Sequence, residues 1–118
     1  MTKPKAYTIL GFKPNDPPAI QELLQGLKPM QDFVGGYIQM IPFTLSADQK
    51  SKLQATFNEE AGMAHKSHNY PKNRKFPYEP GYLRGNFFVT KVDRNGDPES
   101  LTDADITIAT KYFEGTEL

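Results

Sequence analysis

Ten prolines divide this chain of 118 residues into short stretches. Proline lacks a backbone N–H and has a fixed φ, so it interrupts helix interiors and central strands alike. The adjacent Pro17 and Pro18 mark residues 13–18 as a turn-rich connection. Together with a mean hydropathy of −0.61, this distribution predicts short strands and helices joined by extensive loops.

Aromatic residues provide the material for one hydrophobic core. The chain contains eight Phe and six Tyr within a hydrophobic fraction of 37%, which is more aromatic than disordered sequences usually are. A chain of this length can bury about two thirds of its unfolded surface. The composition therefore predicts a single domain spanning residues 1–118.

Alternation of apolar and polar residues predicts the strands. Four stretches show it, namely residues 5–12, 37–43, 53–58 and 82–93. Residues 37–43 are apolar on both faces, which is typical of a strand in the middle of a sheet. The strongest pattern is LRGNFFVTKV within residues 82–93, where Phe87 and Phe88 are expected on opposite faces and a tight turn follows.

The first helical segment is expected between residues 19 and 34. In its first piece, residues 19–25, Ile20, Leu23 and Leu24 have the i, i+3, i+4 spacing of one helix face. The second piece starts near Pro29, since proline suits the first turn of a helix. The Gly-Gly pair that follows residue 34 predicts a helix end with a left-handed glycine.

Capping residues mark two further helix starts. Ser46 and Gln49 have the spacing of a capping box, which predicts one short helical turn from Ala47. Thr102 is a favourable N-cap for a C-terminal helix with acidic residues in its first turn. These elements predict an α+β fold: a single small domain with a mostly antiparallel sheet of four to five strands and two helical segments packed on it.

Charge and composition argue against several classes of protein. Fourteen basic and fourteen acidic residues give a net charge of zero, whereas a protein that coats nucleic acid carries a large basic excess. The chain has no Cys, so disulfides and thiol nucleophiles are excluded and a reducing, cytoplasmic location is expected. No run approaches 18 apolar residues, so neither a membrane association nor export is expected.

The most concentrated functional signal is residues 65–75, HKSHNYPKNRK, which we expect to form an exposed loop. Four cations and no acid alternate with His, Asn and Tyr, a composition suited to hydrogen-bonding a phosphate or carboxylate. Arg74 is the preferred phosphate ligand because its planar fork permits two parallel hydrogen bonds. The candidate ligand-binding residues are Lys66, His68, Asn69, Tyr70, Asn73, Arg74, Lys75, Asn58 and Glu59. The alternative is a solvated loop without a ligand.

Other chemistry has less support. His65 and His68 are three residues apart, but Pro71 disfavours a helix here and no third ligand has a fixed spacing, so no metal site is expected. No serine lies in a nucleophile elbow, and no phosphate-loop motif is present. We therefore expect no cofactor and no catalytic residues, and a hydrolase that uses one of the histidines is a third hypothesis.

Five segments occur in a set order along the chain: LQGLKPMQDFVGGYIQMIPF (24–43), FNEEAG (57–62), PKN (71–73), YLRGNFFVT (82–90) and SLTDADI (100–106). In this order they resemble an uncharacterised small-domain family that is common in bacteriophages and in mobile elements of bacteria. The pattern of that family is VGGYIE, NEEG, PxN, IxGN and SLTDED. Gln39 stands where the family usually has Glu, and Ala61 interrupts the NEEG turn.

The resemblance implies a phage context, and hence the host bacterial cytoplasm, without a settled activity. Combined with the donor-rich loop, it suggests a phage-type binding protein that sequesters a small anionic, nucleotide-like ligand, for example as a counter-defence sponge. The alternative is a protein-interaction module or an inhibitor of a host protein without a small-molecule ligand. A homo-oligomer is expected, because small proteins often complete a pocket at a subunit interface.

Overall fold

The computed structural model describes residues 5–63, 66, 69–77 and 81–117. These residues form an antiparallel sheet with a helix on each face and a separate two-stranded hairpin, which confirms the expected α+β class. The elements are β1 Ala6–Phe12, β2 Ala19–Leu24, α1 Leu27–Val34, β3 Ile38–Leu45, β4 Lys52–Asn58, a 3₁₀ helix Glu59–Gly62, β5 Lys72–Lys75, β6 Tyr82–Arg84, β7 Phe87–Val92, β8 Pro98–Glu99 and α2 Asp103–Phe113.

The main sheet has the strand order β2-β1-β7-β4-β3, and the two-residue β8 pairs with the end of β7. Every pairing is antiparallel. The sheet therefore has six strands, slightly more than the four or five expected. Strands β1, β7 and β4 lie in the middle, and β2 and β3 form the two edges.

The two faces of the sheet bury different clusters. On the α2 face, Phe12, Phe87 and Phe113 pack with Leu53 and neighbouring residues in the larger core. On the opposite face, which we call the α1 face, Tyr7, Ile9, Val34 and Phe88 form a smaller core. Phe87 and Phe88 thus point to opposite faces as expected, and both are fully buried because a helix covers each face.

Helix α2 begins at Thr102, the N-cap expected from the sequence, and a capping box is present there. The Thr102 hydroxyl accepts from the Asp105 N–H, and the Asp105 carboxylate accepts from the Thr102 N–H. The same carboxylate accepts from the Ala47 N–H and lies 3.2 Å from Lys91 Nζ. Asp105 therefore ties the helix start to the β3–β4 turn and to the end of β7.

Residues 19–25 are not helical, contrary to expectation. Residues 19–24 form β2 and pair along their whole length with β1, from Ala6↔Leu24 to Gly11↔Ala19. The apolar spacing at residues 20, 23 and 24 covers less than two helical turns, so it is weak evidence for a helix. Pairing with the edge of β1 supplies backbone hydrogen bonds to the segment. A helix confined between Pro18 and Gly26 would have to form all its hydrogen bonds within itself, and so short a helix is only marginally stable.

Two other expectations near β3 were wrong. The segment after Ser46 is a tight turn, because Gln49 adopts a left-handed φ of 63° and the Ser46 hydroxyl accepts from the Ser51 N–H, closing the β3–β4 connection. Strand β3 is an edge strand and not a central one. Its proline, Pro42, fits that position, since an edge strand tolerates a missing donor.

The strong strand pattern of residues 82–93 contains two strands in different sheets. It breaks at Gly85, whose φ of 69° takes the chain out of an extended conformation. Before the break lies β6, which pairs with β5, and after it lies β7 in the main sheet. Because β6 pairs with residues 72–75, this second part of the expected loop 65–75 is a strand. Among the described residues, no helix is long and apolar enough to cross a membrane.

Candidate functional site

Strand β5, with the sequence KNRK, contains an extra residue that divides its side chains into an inward set and an outward set. In the β5–β6 pair, Lys72 lies opposite Arg84 and Arg74 lies opposite Leu83, so the pairing shifts by one residue at Asn73. Such a bulge lets two consecutive residues point to the same side of a strand. Asn73 and Arg74 are both buried, whereas Lys72 and Lys75 are both exposed.

The inward set is a closed hydrogen-bond network. The Arg74 guanidinium donates to the Asn73 side-chain oxygen at 2.7 Å and to the Asp16 carbonyl at 3.0 Å, and it lies over the Phe12 ring. The Asn73 amide donates to the carbonyls of Phe12 and Gly85. Both side chains thus tie the hairpin to the main sheet. Because Arg74 and Asn73 are 3% and 1% exposed, neither lies on an exposed loop, contrary to expectation, and neither presents its side chain to a ligand at the surface.

The outward set gathers cations around one aromatic ring. The Nζ of Lys72 lies 5.0 Å from the centre of the Tyr82 ring, and the guanidinium carbon of Arg84 lies 5.5 Å from it. Lys75 is the cross-strand partner of Tyr82. We call these four residues, Lys72, Lys75, Tyr82 and Arg84, the cationic face. Within the described part of the chain, none of its three cations forms an ion pair with a carboxylate.

A depression of about 530 Å³ adjoins the cationic face. It is lined by Lys75 and Tyr82 from the hairpin, Phe76 and Pro77 from its connection, and Tyr112 from the last turn of α2. Volumes of about 300–1,000 Å³ are typical of small-molecule sites. Because its walls are aromatic, Lys75 lines it and the Tyr82 ring connects it to Lys72 and Arg84, the depression can accept a planar group joined to an anionic group.

A second cleft, of about 550 Å³, lies between the end of α1 and the 3₁₀ helix. We call it the Glu60 cleft. The Glu60 carboxylate accepts from Lys66 Nζ at 3.2 Å and from the Tyr70 hydroxyl at 3.1 Å. Burial, and then the hydrogen bond to Glu60, raises the pKa of the Tyr70 hydroxyl. The phenol therefore remains a hydrogen-bond donor to Glu60 at neutral pH.

The end of α1 is built by two glycines and one asparagine. Gly35 is left-handed, with a φ of 82°, and ends the helix as expected. The Asn58 side chain donates to the Val34 carbonyl and accepts from the Glu60 N–H. A Cβ atom on Gly36 would lie 2.9 Å from the Asn58 amide nitrogen. Gly36 thus lets Asn58 join the helix end to the 3₁₀ helix.

Electrostatics make the Glu60 cleft a poor anion site. Its charged lining residues are Lys28 and Asp32, which pair with each other at 2.6 Å, and Glu60, which pairs with Lys66. The charges of these two pairs cancel. The cleft also faces the C-terminal end of α1, where the helix dipole places partial negative charge. A ligand there would therefore need to supply hydrogen-bond donors, unlike a ligand of the cationic face.

The structure distributes the expected site residues over several places. Lys66 and Tyr70 meet at the Glu60 cleft beside the buried Asn58. Asn69 and Glu59 are exposed near it, and Lys75 lies on the cationic face. His68 and its neighbour His65 lie outside the described residues. Within residues 5–63, 66, 69–77 and 81–117, no group of His, Asp or Glu side chains is arranged to hold a metal ion.

Three members of the site were missed by sequence reasoning: Tyr82, Arg84 and Tyr112. The first two were assigned to a single long strand, and their pairing with residues 72–75 was not considered. A signal for that pairing exists, because the intervening FPYEPG contains two prolines and a glycine, which favour a chain reversal. Tyr112 joins the site through the packing of α2 on the sheet, which no local pattern reveals.

Comparisons with known proteins place the chain in a family without assigning an activity. No curated protein and no solved structure matches the chain. A family model described as a domain of unknown function, DUF3846, matches residues 7–115. This match includes every element from β1 to α2, so the uncharacterised small-domain family expected from the motifs is confirmed at that level. The chain belongs to the DUF3846 family.

Proposed function

We propose that this protein binds a small anionic, nucleotide-like ligand at the cationic face and the adjoining depression, and that it does not turn the ligand over. The observation that carries the proposal is the gathering of Lys72 and Arg84 around the Tyr82 ring, with no carboxylate paired to either cation among the described residues. Cations held close together repel one another, and a bound anion removes that repulsion.

The two parts of the site suit two parts of such a ligand. Lys72, Lys75 and Arg84 would donate charge-assisted hydrogen bonds to phosphate oxygens. One guanidinium donor of Arg84 is engaged by the Tyr70 carbonyl at 3.2 Å, which orients the group and leaves other donors for the ligand. A base-like ring would then lie in the depression between Tyr82 and Tyr112.

Binding is tested by titration calorimetry and thermal shift with three probes. ADP carries both a ring and an anionic group, pyrophosphate carries only the anionic group, and adenosine carries only the ring. We expect ADP to raise the melting temperature most and to bind more tightly than either partial probe. The proposal fails if ADP and pyrophosphate both leave the melting temperature unchanged.

Variants locate the binding site. Lys75→Ala and Arg84→Ala should each weaken ADP binding about tenfold, as expected for loss of one charge-assisted hydrogen bond. Lys50→Ala is the matched control, because Lys50 is an exposed lysine in the distant β3–β4 turn. Equal affinities for the Lys75→Ala, Arg84→Ala and Lys50→Ala variants would show that ADP binds elsewhere.

A binder and a hydrolase differ in what they release. The protein is incubated with a nucleotide metabolite extract, washed and heat-denatured, and the released compounds are identified by mass spectrometry. An intact anionic compound, absent from the Lys75→Ala and Arg84→Ala samples, supports sequestration. A product in place of its precursor would instead support the hydrolase hypothesis.

A protein-interaction module is the second candidate function. The observation in its favour is apolar exposure on both edge strands of the sheet: Ile20 and Leu24 on β2 are 63% and 51% exposed, and Met40 and Leu45 on β3 are 47% and 50% exposed. Exposed edges with apolar side chains mark association surfaces. A host protein retained by wild type and by Arg84→Ala, but lost in Ile20→Lys/Leu24→Lys, would favour this reading.

The cellular context is part of the proposal. The motif resemblance supports a phage or mobile-element origin and action in the host bacterial cytoplasm, where a counter-defence sponge would remove a nucleotide signal. We also propose a homo-oligomer formed through an exposed edge strand. Light scattering should give a mass above the 13.3 kDa of one chain, and a monomer across the micromolar range would refute this part alone.

A further inference from the structure

A groove of about 360 Å³ lies on the α1 face of the sheet, beside the helix. Helix α1 has only eight residues, about 12 Å, whereas the eight-residue β3 extends about 26 Å. The helix is therefore too short to cover the whole face, and the uncovered part is the groove. Its apolar lining includes Tyr7, Leu27, Met30, Met40, Val92 and Pro98.

Two polar side chains lie together in this apolar groove. Gln54 on β4 and Thr90 on β7 are direct cross-strand partners, and both line the groove although they are only 8% and 2% exposed. The Thr90 hydroxyl has no hydrogen-bond partner among the described residues. The Gln54 amide donates to the sulfur of Met40 at 3.1 Å, and a thioether is a weak acceptor.

This pair departs from the normal state of buried polar groups, which are almost always hydrogen-bonded. An occupant of the groove is one source of a partner for Thr90 and of a better partner for Gln54. The groove lining contains no Lys, Arg, Asp or Glu, so a charged occupant would be desolvated without compensation. The two methionines provide adaptable, polarizable walls that pack well against aromatic rings.

We infer that this groove binds a small neutral aromatic or heteroaromatic molecule with an amide-type edge. The ring lies between Met30, Met40 and Tyr7, and the edge exchanges hydrogen bonds with Thr90 and Gln54. The groove volume is within the range of small-molecule sites. Because this site is on the sheet face and the cationic face is on the separate hairpin, the inference stands independently of the proposed anion binding.

Benzamide is a suitable probe, since it combines one ring with one amide. In ¹H–¹⁵N NMR titrations of the full chain, we expect benzamide to shift the backbone signals of Met40, Gln54, Thr90 and Val92, with a Kd on the order of 1 mM, as ligand-efficiency limits suggest for so small a molecule. Toluene, which lacks the amide, should shift the same signals less. Shifts confined to other parts of the chain, or none, would refute the site.

The threonine hydroxyls allow a matched comparison. Thr90→Val removes the hydroxyl from the groove at nearly constant volume, and we expect it to weaken benzamide binding at least threefold without changing toluene binding. Thr56→Val is the control, because Thr56 is also buried with an unpartnered hydroxyl among the described residues but does not line the groove. Equal effects of the two variants on benzamide, or a concentration-dependent dimer that buries the groove, would overturn the inference.

Discussion

The Arg74 guanidinium and the Asn73 side-chain oxygen, neighbours in sequence, are joined by a 2.7 Å hydrogen bond inside the protein. Their sequence neighbours Lys72 and Lys75 face solvent. Of the four polar residues 72–75, two are therefore part of the interior and two lie at the surface. Substitutions of the buried pair should affect folding, and substitutions of the exposed pair should affect the proposed ligand binding.

Replacing Arg74 should affect folding. Arg74→Met removes the donors that satisfy Asn73 and the Asp16 carbonyl, and it should lower the free energy of unfolding by about 2–3 kcal/mol. Lys75→Met, at an exposed position of the same strand, should change it by less than about 0.5 kcal/mol. Urea denaturation measures both. Similar losses of unfolding free energy in the two variants would contradict the assignment of Arg74 to the interior and Lys75 to the surface.

The buried pair of Asp105 and Lys91 should make stability depend on acid pH. Burial acts to raise the pKa of the Asp105 carboxyl, but hydrogen bonds from Ala47, Thr102 and Lys91 outweigh it and hold that pKa below its ordinary value of 3.8. A carboxyl whose pKa is lowered by folding stabilises the fold above its unfolded pKa, and this contribution disappears as the pH falls through the folded pKa. Stability should therefore decrease as the pH falls below about 4.

Substitution of Asp105 tests this assignment. At pH 7, Asp105→Asn should destabilise the protein by about 3 kcal/mol, because Lys91 is left buried without its counter-charge. The variant should also lose part of the acid dependence, so the difference in stability between the variant and wild type should narrow as the pH falls below about 4. Lys91→Met combined with Asp105→Asn should be less destabilised than Asp105→Asn alone. A double variant as unstable as the sum of its single changes would argue against the pair.

The contact between Gly36 and Asn58 should appear as an energetic coupling. Gly36→Ala places a Cβ 2.9 Å from the Asn58 amide nitrogen, and we expect a cost of about 1–2 kcal/mol from overpacking. In an Asn58→Ala background the same change should cost at least about 0.5 kcal/mol less. A double-mutant cycle by chemical denaturation gives this difference. If the two costs are strictly additive, the contact with Asn58 is not the cause of the destabilisation by Gly36→Ala.

The larger core should be more sensitive than the smaller one. Phe113 is 1% exposed and its ring packs against Phe12, Phe43, Phe76, Phe87 and Tyr112, so Phe113→Ala should cost about 4 kcal/mol. Phe33 on the α1 face is only partly buried, and Phe33→Ala should cost roughly half as much. Thermal unfolding of the two variants compares the faces, and a greater loss for Phe33→Ala would reverse this ranking.

Local chemistry made several elements of the fold predictable. The N-cap at Thr102, the glycine end of α1 and the alternation in β1 and β4 each depend on residues a few positions apart. The opposite orientations of Phe87 and Phe88 follow from strand geometry alone. In these places, the pattern in the sequence and the contact in the structure involve the same short segment.

Other elements depend on partners that are distant in sequence. Residues 19–24 are a strand because β1 offers them an edge, and β3 is at the edge because β4 is its one partner among the described strands. In the site, the loop composition indicated cations at residues 72 and 75, but burial of Arg74 depends on Phe12 and Asp16. A local pattern has no information about such partners, so it could not separate the buried arginine from the exposed lysines.

The extra residue at Asn73 also determines how freely this surface can vary. Because both lysines of β5 project outward, their replacement would change the charge and size of the site while leaving the packed interior intact. Under the proposed function, substitutions at positions 72, 75, 82 and 84 would alter ligand preference at little cost in stability. Deletion of Asn73 would leave Lys72 and Lys75 outward and Arg74 inward in regular alternation, but it would remove the amide that donates to the carbonyls of Phe12 and Gly85. The extra residue thus adds an inward side chain that anchors the hairpin, while both lysines remain at the surface.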